Sequence, residues 1–376
     1  MNGSLRRRSK DSWQLTIDLG RDPNGKRDRR FVSVKGTKRE ADAKLRELLS
    51  AYDKGIPLTK QRPTVTNWLG RWLKEYVEQN CRQLTKERYE RAIKRHILPE
   101  IGHIQLTKLT PHHIKSFESS LSANGMSPAG VDLIHSIVSG SLKYALQMEI
   151  LWRNPAQSVT TPKASKDEVS PPDISGVKNI LDIADTECDP LFPCLHLIAY
   201  TGLRRGEALA LRWQDINLDT GTISVARSLS RSVEQGLIFQ PPKTNSGRRV
   251  IDVDKQTVQV LRAHQGEQLL LKTSLGDGYH DEDLVFPNPL GGPLNPMALT
   301  RCYKNYAKRL GFTKARIHDL RHFHASVMLQ SGQTLLLVGK RLGHASIATT
   351  GDIYGHLLPG WQKEAADAFA KAMEQG

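Results

Sequence analysis

The 376-residue chain contains no apolar run approaching the roughly 18 residues that cross a bilayer, and with 38% hydrophobic residues it reads as a soluble, globular protein with no membrane partner. Its amino terminus lacks the apolar core of a secretory leader. Arg6-Arg7-Arg8 runs on into Ser9-Lys10-Asp11-Ser12, so a cytoplasmic protein is expected. Cysteine is scarce: Cys81, Cys188, Cys194 and Cys302 are too scattered for a Cys-x-x-Cys pair, and free buried thiols are expected rather than disulfides. Internal repeats and low-complexity tracts are missing. No glycine-rich loop of the Walker type is present to hold a nucleotide, so ATP-driven chemistry is not expected.

Positive charge is what the chain has in excess. The formal net charge is +15, and a field of that sign recruits polyanions, with nucleic acid the natural partner. Residues 1 to 60 hold 16 Lys and Arg against 8 Asp and Glu, so over half the excess sits in the first sixth of the chain. A chain of this length suggests two or three domains.

The hydrophobic pattern changes period along the chain. Trp13, Leu15, Ile17 and Leu19 alternate with polar residues as in a half-buried strand, and a turn at Asp22-Pro23-Asn24-Gly25 leads to a second strand at Arg29 to Val34. Ala41, Leu45, Leu48 and Leu49 then recur at helical spacing, with Thr37 and Glu40 forming a capping box. After a linker at Gly55 to Pro63, helices are expected from Thr64 (with Thr66 as cap), over Thr85 to Ile97, Pro111 to Asn124 and Ser127 to Met148. Lys86, Arg88, Arg91, Lys94, Arg95 and His96 line the polar side of the second of these. A Lys-, Ser- and Pro-rich stretch at Thr160 to Pro172 reads as an interdomain linker.

The carboxyl-terminal half carries five local words. They are Thr201-Gly202-Leu203-Arg204-Arg205-Gly206-Glu207, then Pro242-Lys243-Thr244-Asn245-Ser246-Gly247-Arg248-Arg249, His318-Asp319-Leu320-Arg321-His322, Leu342-Gly343-His344 and Tyr354-Gly355-His356. An arginine near a helix start joins its charge to free amide groups, and both favour a phosphate. Glu207 lies one turn from Arg204, placed to orient Arg204 or His318. Ile317 is expected to begin a helix whose apolar positions Leu320, Phe323 and Val327 face inward, and on which His318 and Arg321, three apart, lie together on one face. A zinc reading of His318 and His322 fails, because the protease word needs Glu after the first histidine. Lys243 falls between two strand-like segments, Thr222 to Val225 and Arg249 to Val253. Guanidinium, ammonium and imidazole groups can neutralise the charge that grows on a displaced phosphate, so no metal or other cofactor is invoked.

Together and in this order, these words resemble the tyrosine recombinase (phage integrase) family, in detail from about Asp173 to the end and by domain order before it. The resemblance implies a multidomain α+β protein: an arm-type DNA-binding domain over 1–58 (three strands and a helix), an all-α SAM-like core-binding bundle over 63–160, and a mainly α catalytic domain with a small antiparallel sheet over 173–376. It selects Arg204 over Arg205, and makes Arg204, Lys243, His318, Arg321 and His344 the catalytic cations or donors, with Glu207 supporting them. Tyr354 becomes the nucleophile and Lys243 the donor to the departing 5′ oxygen. The tail from Trp361 to Met373 is similar to a helix that relatives pack on an adjacent protomer. Gly351 departs from relatives that carry a longer side chain and weakens its short helix by about 1 kcal/mol relative to alanine.

The implied function is integration or excision of a phage or conjugative element in a bacterial host, at the nucleoid. A homotetramer would act on double-stranded attachment sites through a 3′-phosphotyrosyl intermediate and a Holliday junction, with an excisionase or host DNA-bending protein as a further partner. Two alternatives stay open here: a type IB topoisomerase-like relaxase, and a DNA-binding regulator of the same fold without catalysis.

Overall fold

A computed structural model describes residues 3–21, 27–53, 63–162, 173–242 and 245–354, with 366–367, 369–370 and 373–374. Its contacts divide the chain into two compact units, Met1–Lys166 and Asp167–Gly376.

The first unit opens with strands β1 (Gly3–Ser9), β2 (Ser12–Arg21) and β3 (Arg27–Lys35), paired antiparallel in that order and followed by helix α1 (Lys38–Asp53). Alternation puts Leu15 and Ile17 on the covered face, where they pack with Ala41, Leu45 and Leu48 of α1. The register sets Arg6 beside Gln14 and Gln14 beside Ser33, a polar row on the opposite face, while Phe31 opposite Thr16 is exposed. Thr37 and Glu40 make the expected capping box: the Thr37 amide donates to Glu40 Oε2 at 2.7 Å and the Glu40 amide to Thr37 Oγ1 at 3.3 Å.

The rest of this unit is helical. Helix α2 (Val65–Trp72) continues through a π-helical turn at Leu73–Val77 into α3 (Glu78–Asn80); α4 (Gln83–Ala92) does the same through Ile93–Ile97 into α5 (Leu98–Ile101). Helices α6 (Pro111–Ala123) and α7 (Pro128–Gln147) complete a bundle around Trp68, Ile97, Ile114, Ile137 and Leu142. The cap of α2 is Thr64, not the expected Thr66. Thr64 accepts from the Asn67 amide, whereas the Thr66 hydroxyl donates to the Gly102 carbonyl at 2.9 Å, so two threonines competed and tertiary contact took the second. Arg88, Arg91, Lys94 and Arg95 are exposed along α4 and the turn that follows it, as expected for a polar face.

The second unit packs α8 (Ile174–Thr186) and α9 (Phe192–Thr201) with the short α10 (Arg205–Ala208). A sheet of β4 (Ile216–Asn217), β5 (Thr222–Val225) and β8 (Arg249–Asp252) is antiparallel in the order β4-β5-β8. Between β5 and β8 the chain builds a separate hairpin, β6 (Ser228–Ser232) with β7 (Gly236–Gln240), in a stretch read from sequence only as a connection. Its serine-rich first strand hides the alternation: Leu229 and Ser232 are the buried positions. Helices α11 (Lys255–Leu275), α12 (Pro296–Arg309), α13 (Asp319–Gln330), α14 (Leu335–Leu342) and α15 (Ile347–Tyr354) follow. The main core gathers Leu195, Leu203, Leu209, Ile223, Leu299, Tyr303 and Leu320; a smaller one joins Ala325, Leu329, Val338, Leu342 and Tyr354. No helix among the described residues is long and apolar enough to cross a membrane.

Helix α13 corrects one expectation about its faces. Leu320 is buried, but Phe323 and Val327 are only half-buried, and the inward row instead includes Arg321 and His324. Both polar side chains are buried because carbonyls at neighbouring helix ends receive them, Gly202 and Leu342 for Arg321 and Ala199 for His324.

Candidate active site

Helix α9 ends at Gly202, whose φ of 66° is left-handed and whose added Cβ would meet Leu342 Cδ2 at 2.5 Å. The chain therefore turns sharply, buries Leu203 and delivers Arg204 as the residue that opens α10. Glu207, only 3% exposed, takes the Arg204 amide on Oε2 at 3.0 Å and its guanidinium on Oε1 at 2.7 Å. Arg249 of β8 adds a third bond to Glu207 Oε2 at 2.9 Å and fixes itself on the Arg341 and Gly247 carbonyls. Burial opposes ionisation of Glu207, but the hydrogen bond and charge of Arg249, with the charge of Arg204, hold its pKa below the usual carboxylate value.

Arg321 is 2% exposed. It donates to the Gly202 carbonyl and to the Leu342 carbonyl, both at 2.7 Å, so one guanidinium serves the carboxyl-terminal ends of α9 and α14. Burial, and then the charge of Arg204, push its pKa down to about 9, which leaves it a cation at neutral pH.

Helix α14 is capped by Thr334 at its start and by left-handed Gly343 at its end, which presents His344 just past the last turn. The His344 amide closes on the Gly339 carbonyl and its Nδ1 meets the Thr350 hydroxyl at 2.8 Å. Thr350 is fully buried on α15, the helix that ends in Tyr354. His318 immediately precedes α13, and its ring stands edge-on to that of His322, centroids 4.9 Å apart. His322 Nδ1 lies 2.7 Å from the Tyr354 hydroxyl.

In His318, His344 and Tyr354 alike, burial favours the neutral form. Burial, followed by the charges of neighbours that include Arg321 and Arg204, brings both His318 and His344 down to about 4. Burial also pushes the Tyr354 phenol up to about 12, which the charge of Arg321 partly offsets. The site thus combines the guanidiniums of Arg204, Arg249 and Arg321 with neutral imidazoles and a protonated phenol, a donor-rich group of side chains suited to a phosphate.

Of the residues singled out from sequence, Arg204, Glu207, His318, Arg321, His344 and Tyr354 come within electrostatic reach of one another. Lys243 lies outside the described residues, as does most of the tail from Trp361 to Met373. Glu207 bonds Arg204 and Arg249, and its hydrogen bonds do not include one to His318. Sequence reasoning missed Arg249, Thr350 and the contact of His322 with Tyr354. The sequence signal for His322 is its i, i+4 spacing from His318. Among the described residues no group of three or more His, Cys, Asp or Glu could hold a metal ion.

Comparison with known proteins matches residues 175–360 to the phage integrase family and residues 64–122 to the phage integrase N-terminal SAM-like domain. The chain is 26% identical to a tyrosine recombinase XerC-like protein of Caldanaerobacter subterraneus subsp. tengcongensis, over 96% of each chain. It is 28% identical to the ICEBs1 integrase of Bacillus subtilis, over 97% of this chain and 98% of that one. Among solved structures, its fold is similar to the Tn1549 transposon integrase in complex with a circular intermediate DNA (TM-score 0.69, 16% identity, 82% of this chain and 99% of that one). It is also similar to a lambda integrase tetramer bound to a Holliday junction (TM-score 0.59, 18% identity, 93% and 94%).

Proposed function

The chain belongs to the phage integrase family of tyrosine recombinases, and on that premise we propose that it is a site-specific recombinase that integrates or excises a mobile element. The observation that carries the reading is the phenol of Tyr354 bonded to His322 and within electrostatic reach of Arg321, which is itself within reach of Arg204, His318 and His344. We assign residues 1–58 to arm-type DNA binding, 63–160 to core-site binding and 173–376 to catalysis.

In the reaction, the Tyr354 hydroxyl oxygen attacks the scissile phosphorus and the bond to the 5′ oxygen breaks. The 3′ end is left esterified to the tyrosine, and the 5′ oxygen departs as a hydroxyl, protonated by Lys243. Arg204 and Arg321 stabilise the charge that builds on the non-bridging oxygens, and His318 and His344 donate to the same atoms. Glu207 acts as a positioning residue, holding Arg204. The ester conserves the bond energy, so a 5′ hydroxyl from a second duplex reverses the step without a nucleotide. Two such exchanges make and resolve a Holliday junction, which calls for four protomers on paired attachment sites. The solved lambda integrase tetramer on a Holliday junction supports that stoichiometry. An excisionase or a host DNA-bending protein is assigned as the partner that sets direction, in the nucleoid of a bacterial host.

The test is a nicked suicide duplex carrying the junction sequence recovered when the encoding element moves. A covalent adduct is expected with the parent chain and none with Tyr354→Phe, while both bind the duplex alike. An undiminished adduct in Tyr354→Phe removes the nucleophile from this assignment. Relaxation of supercoils without exchange between two sites would favour a topoisomerase instead.

A further inference from the structure

We infer that His322 is the general base of strand cleavage, taking the phenolic proton from Tyr354 onto its Nδ1 as the tyrosine oxygen bonds to phosphorus. The inference rests on the assignment of Tyr354 as nucleophile and adds the destination of its proton. A neutral phenol has one proton to donate, and His322 Nδ1 stands 2.7 Å from the Tyr354 oxygen, within hydrogen-bond reach. That donation places the lone pair on Nδ1 and the ring proton on Nε2.

Geometry separates this histidine from the other two. His344 already has Nδ1 on the Thr350 hydroxyl, and His318 sits one turn back along the chain with its ring perpendicular to that of His322. The groups around His322 are His318, Asp319 and Arg321 in its own segment, Arg316 just before it, His344 from the turn after α14 and Tyr354 from α15. Burial, aided by Arg316 and Arg321 and opposed by Asp319, holds its pKa below the ordinary imidazole value, so the free base is present at neutral pH. Once protonated, the ring has the Asp319 carboxylate as a counter-charge, and Asp319 is itself anchored by Arg316. On resealing the same proton returns to the tyrosine oxygen as the phosphotyrosyl bond breaks.

The experiment measures single-turnover cleavage of the suicide duplex by the full chain between pH 5 and 9. His322→Asn keeps a polar group near the position of Nδ1 but does not accept a proton at neutral pH. Its cleavage rate is expected to fall about 100-fold, with unchanged duplex affinity. Replacing Tyr354 by 3,5-difluorotyrosine, a more acidic phenol, should recover much of that loss, a rescue that a purely structural role for His322 would not produce. In the otherwise unaltered protein, fluorination should leave the acid limb of the rate profile in place, because that limb belongs to an imidazole. This reading needs no folded His322 variant. A parental rate and profile in His322→Asn, the absence of fluorine rescue, or an acid limb that moves with the phenol would each overturn the inference. An adduct persisting in Tyr354→Phe would instead overturn the nucleophile assignment beneath it.

Discussion

Glu207 is the residue on which the site's charge balance turns, since it is nearly sealed from water and accepts from both Arg204 and Arg249. Because its pKa is lowered in the folded chain, its stabilising contribution is complete above the unfolded carboxylate value. That contribution is lost as pH falls through the lower folded value. Glu207→Gln should therefore cost about 1.5–3 kcal/mol near neutral pH, the range for hydrogen bonds to charged groups, and the gap from the parent should close on acidification. Urea unfolding, read by hydrogen exchange in α9, α10 and α13 at several pH values, measures it; a gap that is constant with pH would contradict the pairing. Arg204, Glu207, His318, Arg321, His344 and Tyr354 could be singled out as candidates because each stands in or beside a short word that carries the family resemblance. Arg249 was not, because Arg248 beside it has the same chemistry and only the fold exposes one and buries the other. The meaning of His322 depended on a phenol 32 positions away.

Among the elements, α15 has a sequence that works against its own conformation. It is eight residues long and contains Gly351, yet it carries both Thr350, which holds His344, and the phenol at its end. A Cβ added at Gly351 would meet nothing within 4 Å. Gly351→Ala should therefore strengthen the helix by roughly 0.5–1 kcal/mol through lost freedom in the unfolded chain, seen as slower amide exchange over Ile347 to Tyr354. Unchanged or faster exchange would mean that packing, not propensity, limits this segment. Periodicity made α6, α7 and the β2–β3 pair legible, because their apolar spacing is regular. It failed for the β6–β7 hairpin, where serines occupy the strand, and on α11, where Leu269, Leu270 and Leu271 are adjacent and exposed and so mark no inward face.

At the scale of the molecule, the charge of +15 sets the kind of ligand, while the placement of cations decides how sequence-blind their contribution is. Arg88, Arg91, Lys94 and Arg95 are exposed on one helical stretch of the first unit, so their loss should leave the bundle intact. If they contact backbone phosphates, changing all four to alanine weakens binding to any duplex by a similar factor. The slope of log affinity against log salt then becomes shallower by up to about 3.5, at roughly 0.9 for each phosphate contact removed. Titrations of specific and unrelated duplexes across a salt series check this. Weakening confined to the specific duplex, with an unchanged slope, would instead make these side chains readers of base edges.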